Sequence, residues 1–294
     1  MHKPRVALAA GVLFISIFPI LVKMNLTPPV VSAFYRMAIA SAVLLPYVLL
    51  TGKLKKSTRK LTLLSMLCGV IFGLDVGVWN VAIQGSTATQ ATLLTNLSPI
   101  WVGIGAFFFL KDKPTRNFWI GTVIAIFGMI LLVGIQTFVK LDFNLAFGFA
   151  ILSGMLYAVY MLLSKNILTE VDVWNFMTLT LIASTVSLGV LSFSLGESFG
   201  GYSQLGWITL IIQGLICQLA AWLLISYATK HMRATRVSVS LLGQAVLAAI
   251  FASLFLDEAI SMQMVIGGLF LLFGIRVTFF QKQIGIKKAL PVNK

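Results

Sequence analysis

Apolar residues in this chain fall in long runs, and polar residues cluster in the short gaps between them. A helix needs about 20 apolar residues to cross the hydrocarbon core of a bilayer. Read at that length, the sequence predicts ten spans: 5–24, 29–50, 61–83, 88–110, 117–137, 146–164, 173–194, 205–228, 237–256 and 262–280. Backbone polar groups cannot go unsatisfied in lipid, so each span is predicted to be a helix. The expected fold class is an all-α integral membrane protein with ten transmembrane helices. No low-complexity stretch and no soluble domain separates the runs.

Composition agrees with that reading. The 294 residues are 59% hydrophobic and only 10% charged, against about 25% charged in a typical soluble domain. Such a chain cannot cover itself with a water-facing surface. The net charge of +14 would point to nucleic acid in a soluble protein. Here the charges sit between apolar runs, so they read as topology signals and no nucleic-acid partner is expected.

Placing the N-terminus in the cytoplasm puts eighteen Lys and Arg residues inside. They lie at Lys3 and Arg5, 53–60, 111–116, Lys165, 230–236 and 282–294. Only Lys23 and Lys140 fall outside, while Arg36 and Arg276 lie within spans. That bias predicts both termini cytoplasmic, in a multi-pass protein of the bacterial inner membrane. The basic start, Met1 to Arg5, could imitate a signal peptide, but the long first run and the absence of a small-residue cleavage site predict a retained helix. Cys68 and Cys217 lie inside apolar runs, and with His2 and His231 they give no metal-ligand spacing. No cofactor is expected.

The chain also repeats itself. Phe109-Leu-Lys-Asp112, Ile120-Gly121 and Phe127-Gly128 match Phe255-Leu-Asp-Glu258, Ile266-Gly267 and Phe273-Gly274 at a constant offset of 146. Asp75 and Trp79 match Gln218 and Trp222 at an offset of 143. Five spans is an odd number, so the second half should enter from the opposite side. The loops fit: 111–116 is basic where its counterpart 257–261 is acidic, and 84–87 is uncharged where 230–233 is basic. The expected domains are a first five-helix repeat over 1–137 and a second, inverted one over 146–280. Inverted repeats suit alternating access around a site near the midplane.

At these residues the chain resembles the drug/metabolite transporter superfamily, in particular ten-helix EamA-type transporters. The resemblance covers nearly the whole chain. It is carried by Asp75 and Trp79, by 91–99 with Asn96 and Pro99 followed by Asp112, and by Leu256 to Glu258 with Gly267 and Gly274. Arg36, after the Pro28-Pro29 entry to the second span, also looks like the family's arginine. The resemblance implies export or exchange of small metabolites, often amino acids. It implies a cavity lined by spans 1, 3, 4, 6, 8 and 9, with spans 5 and 10 as supports. Two departures stand out: Lys111-Asp112 replaces the family's usual Gly-Glu, and Ala245 stands where the first half has Pro99.

Asp75 is the acidic residue deep inside a span, and an ionisable group there is costly and functional by default. By helical rise, Arg36 lies about 10 Å from the outer end of its span and Asp75 about 12 Å. The depths match, so the two read either as a fixed ion pair or as groups for solute or proton binding. Trp79 shares a face with Asp75. Thr92, Asn96, Pro99 and Gly103 share one face of the fourth span, as Ser240 and Gln244 do in the ninth. Pro99 is the candidate hinge. Asn96 reads either as a solute ligand or as a helix-to-helix hydrogen bond. The candidate solute-binding set is Asp75, Trp79, Asn96, Tyr157, Gln218, Trp222 and Gln244. Phe14, Phe18, Trp101 and Tyr160 could add an aromatic floor, whereas Trp119, Trp174 and Trp207 read as interfacial anchors. Gly121, Gly128, Gly267 and Gly274 lie in apolar runs and read as packing sites rather than phosphate loops.

No ATP-binding motif is present, and no nucleophile, base or metal constellation of a membrane enzyme. The expected function is therefore a secondary transporter of small organic solutes, probed first with amino acids. Coupling to protons through Asp75 and facilitated diffusion both stay open. The expected partners are the lipid bilayer, a small-molecule solute and protons. A monomer suffices for this arrangement, and a dimer is compatible with it.

Overall fold

The computed structural model describes residues 2–84, 93–134, 144–256 and 259–280. Thr92, Lys140, Asp257, Glu258 and the 85–87 loop lie outside those residues, as does the basic stretch 282–294. All the regular structure among the described residues is helical. Among the described residues, nine helical stretches are long and apolar enough to cross a membrane. A further apolar helix, Leu93–Phe109, falls below that length as described; it corresponds to the span expected over 88–110.

The helices are α1 (His2–Ile15), α2 (Phe18–Lys23), α3 (Pro29–Leu50), α4 (Arg59–Gln84) and α5 (Ser98–Phe109). Then follow α6 (Arg116–Val133), α7 (Leu145–Ile167), α8 (Val173–Ser194) and α9 (Gln204–Ile212). A π-helical segment, Gln213–Ala220, joins α9 to α10 (Ala221–His231). The chain ends in α11 (Ala234–Leu241), α12 (Gly243–Leu256) and α13 (Met262–Phe279).

Three expected spans are interrupted. The first breaks at Ser16 and Ile17, because Pro19 has no N–H to give the Ile15 carbonyl. The fourth turns at Asn96 and Leu97, just before Pro99. There the backbone tightens, with Leu97 N–H donating to Leu94 C=O at 3.1 Å and Ile100 N–H to Leu97 C=O at 2.9 Å. The ninth does the same without a proline. Leu242 N–H donates to Val239 C=O at 3.1 Å and Ala245 N–H to Leu242 C=O at 3.0 Å. Gly243 follows this turn immediately.

Packing divides the bundle in two. α6 and α13 pair along their length through four glycines. Gly121 lies on the Gly274 carbonyl, and Gly128 on the Gly267 carbonyl and the Leu271 backbone. Gly267 and Gly274 lie on Gly128, Leu132, Gly121 and Ala125 in return. Small residues let two helices approach in lipid, where no hydrophobic drive exists between them. The other helices form the main core. α4 lies against α7 and α8, α3 against α8 and the π segment, α1 against α10, and α5 against α7 and α11. Polar staples hold these contacts: Ser184 Oγ donates to Gly69 C=O at 2.7 Å, and Ser32 Oγ to Gln213 Oε1 at 2.8 Å.

Candidate functional site

The interruptions converge on one cavity of about 90 Å³. Ile15 lines it from the end of α1, and Thr95, Asn96 and Ser98 from the turn before Pro99. Ser238, Leu241, Leu242 and Gln244 line it from the α11–α12 turn, with Tyr157 of α7 and Trp222 of α10 closing it. Breaking a membrane helix at such a place exposes backbone groups to a cavity, where irregular backbone is tolerated. The volume holds several waters and lies well below the roughly 300 Å³ of a drug-sized pocket.

Four of the expected residues, Asn96, Tyr157, Trp222 and Gln244, therefore line this cavity together. Asn96 makes no side-chain hydrogen bond among the described residues. Residues 95, 96 and 98 all face inward because the backbone turns there. The shared helical face expected from Asn96 to Gly103 ends at that turn: Gly103 lies instead on the rings of Phe118 and Trp119. The Ser240 and Gln244 face fails for the same reason. Ser240 Oγ donates back to Arg236 C=O at 2.8 Å, and Ser238 takes the lining position.

Behind Tyr157 lies Asp75, buried in α4, whose Oδ1 accepts a hydrogen bond from Ser153 Oγ at 2.6 Å. Arg36 of α3 is also buried, and its guanidinium sits over the Phe18 ring, 4.3 Å from the centroid. Each charge acts on the other electrostatically, yet no Arg36 nitrogen comes within 4.0 Å of the carboxylate. The direct ion pair is thus not made here. Trp79 packs on Phe18 with centroids 6.2 Å apart.

Gln218 sits in the π segment, fully buried, with neither amide atom hydrogen-bonded. Trp222 Nε1, Tyr157 Oη and Arg36 Nε are buried and unpartnered as well. Buried polar groups are nearly always satisfied, so a cluster of exceptions calls for an explanation. An apolar wall backs them: Phe72 stacks on Tyr160 at 4.7 Å and meets Trp222 edge-on at 4.7 Å. Tyr160 therefore packs in the core rather than facing the cavity, and Phe14 and Trp101 flank that core.

Sequence reasoning missed Ser153, Thr95, Ser98 and Ser238. Ser153 carried a usable signal, since Ser153, Tyr157 and Tyr160 recur at helical 4-3 spacing in α7. A second cavity, of about 210 Å³, gathers Arg5, Asp112, Lys165, His231, Arg233 and Arg236 at one end of the bundle. Five of these six are basic, and with Asp112 they come from four separate segments.

The profile of the EamA-like transporter family matches this chain twice, over residues 5–134 and 144–280. The chain belongs to the EamA-like transporter family. The EamA-like chain is 22% identical over 252 residues to the uncharacterized transporter YdfC of Bacillus subtilis, covering 85% of this chain and 81% of YdfC. It is 27% identical over 255 residues to an uncharacterized transporter of Archaeoglobus fulgidus, covering 84% and 86%. A named S-adenosylmethionine uptake transporter of Rickettsia prowazekii is 24% identical over 159 residues, 54% of this chain and 53% of its own. A chain of known crystal structure, 15% identical, superposes with a TM-score of 0.80 over 95% of this chain and 97% of its own, which shows a shared fold. This EamA-like protein is a multi-pass membrane transporter of the drug/metabolite type, not an enzyme.

Proposed function

We propose that this EamA-like protein is a secondary transporter of small organic metabolites such as amino acids, working as an exporter or exchanger by alternating access. The single observation that carries the reading is the cavity where three spans break beside unpartnered buried polar atoms. Those atoms gain hydrogen bonds only from something that enters. Asp75, Trp79, Asn96, Tyr157, Gln218, Trp222 and Gln244 form the solute-binding region, with the turn at Pro99 as hinge. Thermodynamically, a solute that satisfies them stabilises the states that hold it.

The proposal includes ten helices in two inverted halves, 1–137 and 146–280. Its support is the double family match and packing that survives exchange of the halves. α4 meets α7 as α10 meets α1, and α4 meets α8 as the π segment meets α3. α5 meets α7 as α11 and α12 meet α1, while α6 and α13 are each other's counterpart. The backbone turns in α5 and α11–α12 repeat the same hydrogen-bond pattern. Residues 5, 112, 165, 231–233 and 236 share one end; assigning that end to the cytoplasm by the positive-inside rule supports a reading with both termini inside, in a bacterial inner membrane.

The test is counterflow in liposomes containing the purified chain, with a panel of amino acids and S-adenosylmethionine, whose methionyl end is itself an amino acid. The expected result is saturable, exchangeable flux of at least one solute. Flux that does not saturate would indicate a channel, and no flux for the whole panel would reject the reading. Running the panel with and without a pH gradient in Asp75→Asn protein decides proton coupling: gradient dependence that survives the change removes Asp75 as the carrier. A uniporter of another amphipathic solute would show saturable flux independent of the gradient.

A further inference from the structure

Arg36 makes no ion pair among the described residues. It is 5% exposed, and its guanidinium carries five N–H donors in a planar fork. Its Nε is buried without a partner, and among the described residues it makes no side-chain hydrogen bond. Its guanidinium lies over the face of Phe18. A buried guanidinium stays charged at neutral pH and is strongly disfavoured unless paired.

The surrounding unpartnered groups are mostly donors. The indole N–H of Trp222 and the amide nitrogen of Gln218 have no acceptor, the Tyr157 hydroxyl has no partner of either kind, and Gln218 Oε1 is the one unpartnered pure acceptor of these side chains. Cys217, the neighbour of Gln218 in the π segment, is close enough to feel the Arg36 charge. Asp75 feels it too, but its Oδ1 is occupied by Ser153. A surplus of donors in a dry interior selects an acceptor-rich, negatively charged group.

We propose that Arg36 receives the carboxylate of the transported solute, an assignment that rests on the transporter reading above. The guanidinium fork matches the two carboxylate oxygens in a way that a lysine ammonium does not. The site therefore ranks carboxylates above their uncharged amides.

The experiment compares L-phenylalanine, L-leucine and L-threonine with their carboxamides, and propionate with propionamide. Binding is read by calorimetry on purified protein in detergent, and flux by counterflow in liposomes. Wild-type protein is expected to favour each carboxylate over its amide by about tenfold or more. Arg36→Met should bring that ratio close to one while melting no lower than wild type, because it removes an unpartnered buried charge. Arg36→Lys should recover part of the preference. Equal binding of carboxylates and amides by wild-type protein would overturn the assignment, as would an undiminished preference in Arg36→Met. The wild-type ratio decides the matter even if Arg36→Met does not fold. Carboxylate-selective binding without flux would keep the assignment and sink the transport reading; flux without carboxylate preference would do the reverse.

Discussion

The two regions of this bundle treat their backbones in opposite ways. In α6 and α13 the helices are uninterrupted, and four glycines bring the two backbones together until no room is left for a Cβ. Around the cavity the helices are broken or widened: between α1 and α2, before Pro99, through the π segment and between α11 and α12. Close packing permits few alternative arrangements, because a tight interface is not continuously deformable. Broken helices keep backbone groups and torsions free to rearrange. On the proposed reading, the contrast gives support to one region and solute handling to the other, within one chain and one composition.

The largest effect should come from filling the tight region. Gly128→Leu drives a side chain into the Gly267 carbonyl and the Leu271 backbone, where nothing flexible can yield. It should lower stability by about 3 kcal/mol, the upper part of the range for overpacking. Gly148→Ala is the control, since a Cβ there meets nothing; it should gain a few tenths to about 1 kcal/mol. Melting of the two purified variants checks both signs, and equal behaviour would erase the distinction between the regions.

A middle effect belongs to the link between α4 and α7. Ser153→Ala removes the hydroxyl that donates to Asp75 at 2.6 Å. Stability should fall by about 1–3 kcal/mol, the cost of stranding a buried acceptor. Solute affinity should change as well, because Asp75 lies next to the cavity-lining Tyr157. Binding and melting measured on the same preparation would separate the two consequences.

The smallest stability effect should accompany a large functional one. Trp222→Phe deletes an unpartnered indole N–H and keeps an aromatic ring beside Phe72, Tyr157 and Tyr160. Stability should stay within about 1 kcal/mol, while counterflow falls about tenfold or more. Unchanged flux would take Trp222 out of the solute site.

The sequence made the apolar spans legible because the length of a membrane helix is fixed by bilayer thickness. It made Asn96, Tyr157, Trp222 and Gln244 legible because polar and aromatic groups inside such spans are rare enough to stand out. It also made the four packing glycines legible, through their recurrence in both halves. What it concealed follows from helix breaks. A face drawn with a period of 3.6 residues holds only while the helix continues, so Gly103 and Ser240 were placed wrongly once the chain turned at Leu97 and Leu242. Pro99 announces its turn; Leu242 does not, since the matching position is Ala245 and only Gly243 hints at it. The π segment carries no local mark. It packs against α3, where Ser32 holds Gln213, and tertiary contacts of that kind are absent from a single-sequence pattern. The sequence reads Arg36 and Asp75 at similar depth, but depth along two helices does not set the direction of two side chains.

Alternating access is the central claim, and Ser238 is the residue to follow. It lines the cavity at the α11–α12 turn. Ser238→Cys would be made in protein whose buried Cys68 and Cys217 are replaced by alanine. In oriented liposomes, its reaction with a membrane-impermeant maleimide is measured from each side, with and without transported solute. The account predicts labelling from both sides in turn, never through a continuously open path, with solute shifting the balance between them. Labelling confined to one side under every condition, or accompanied by free leakage of small ions, would contradict it.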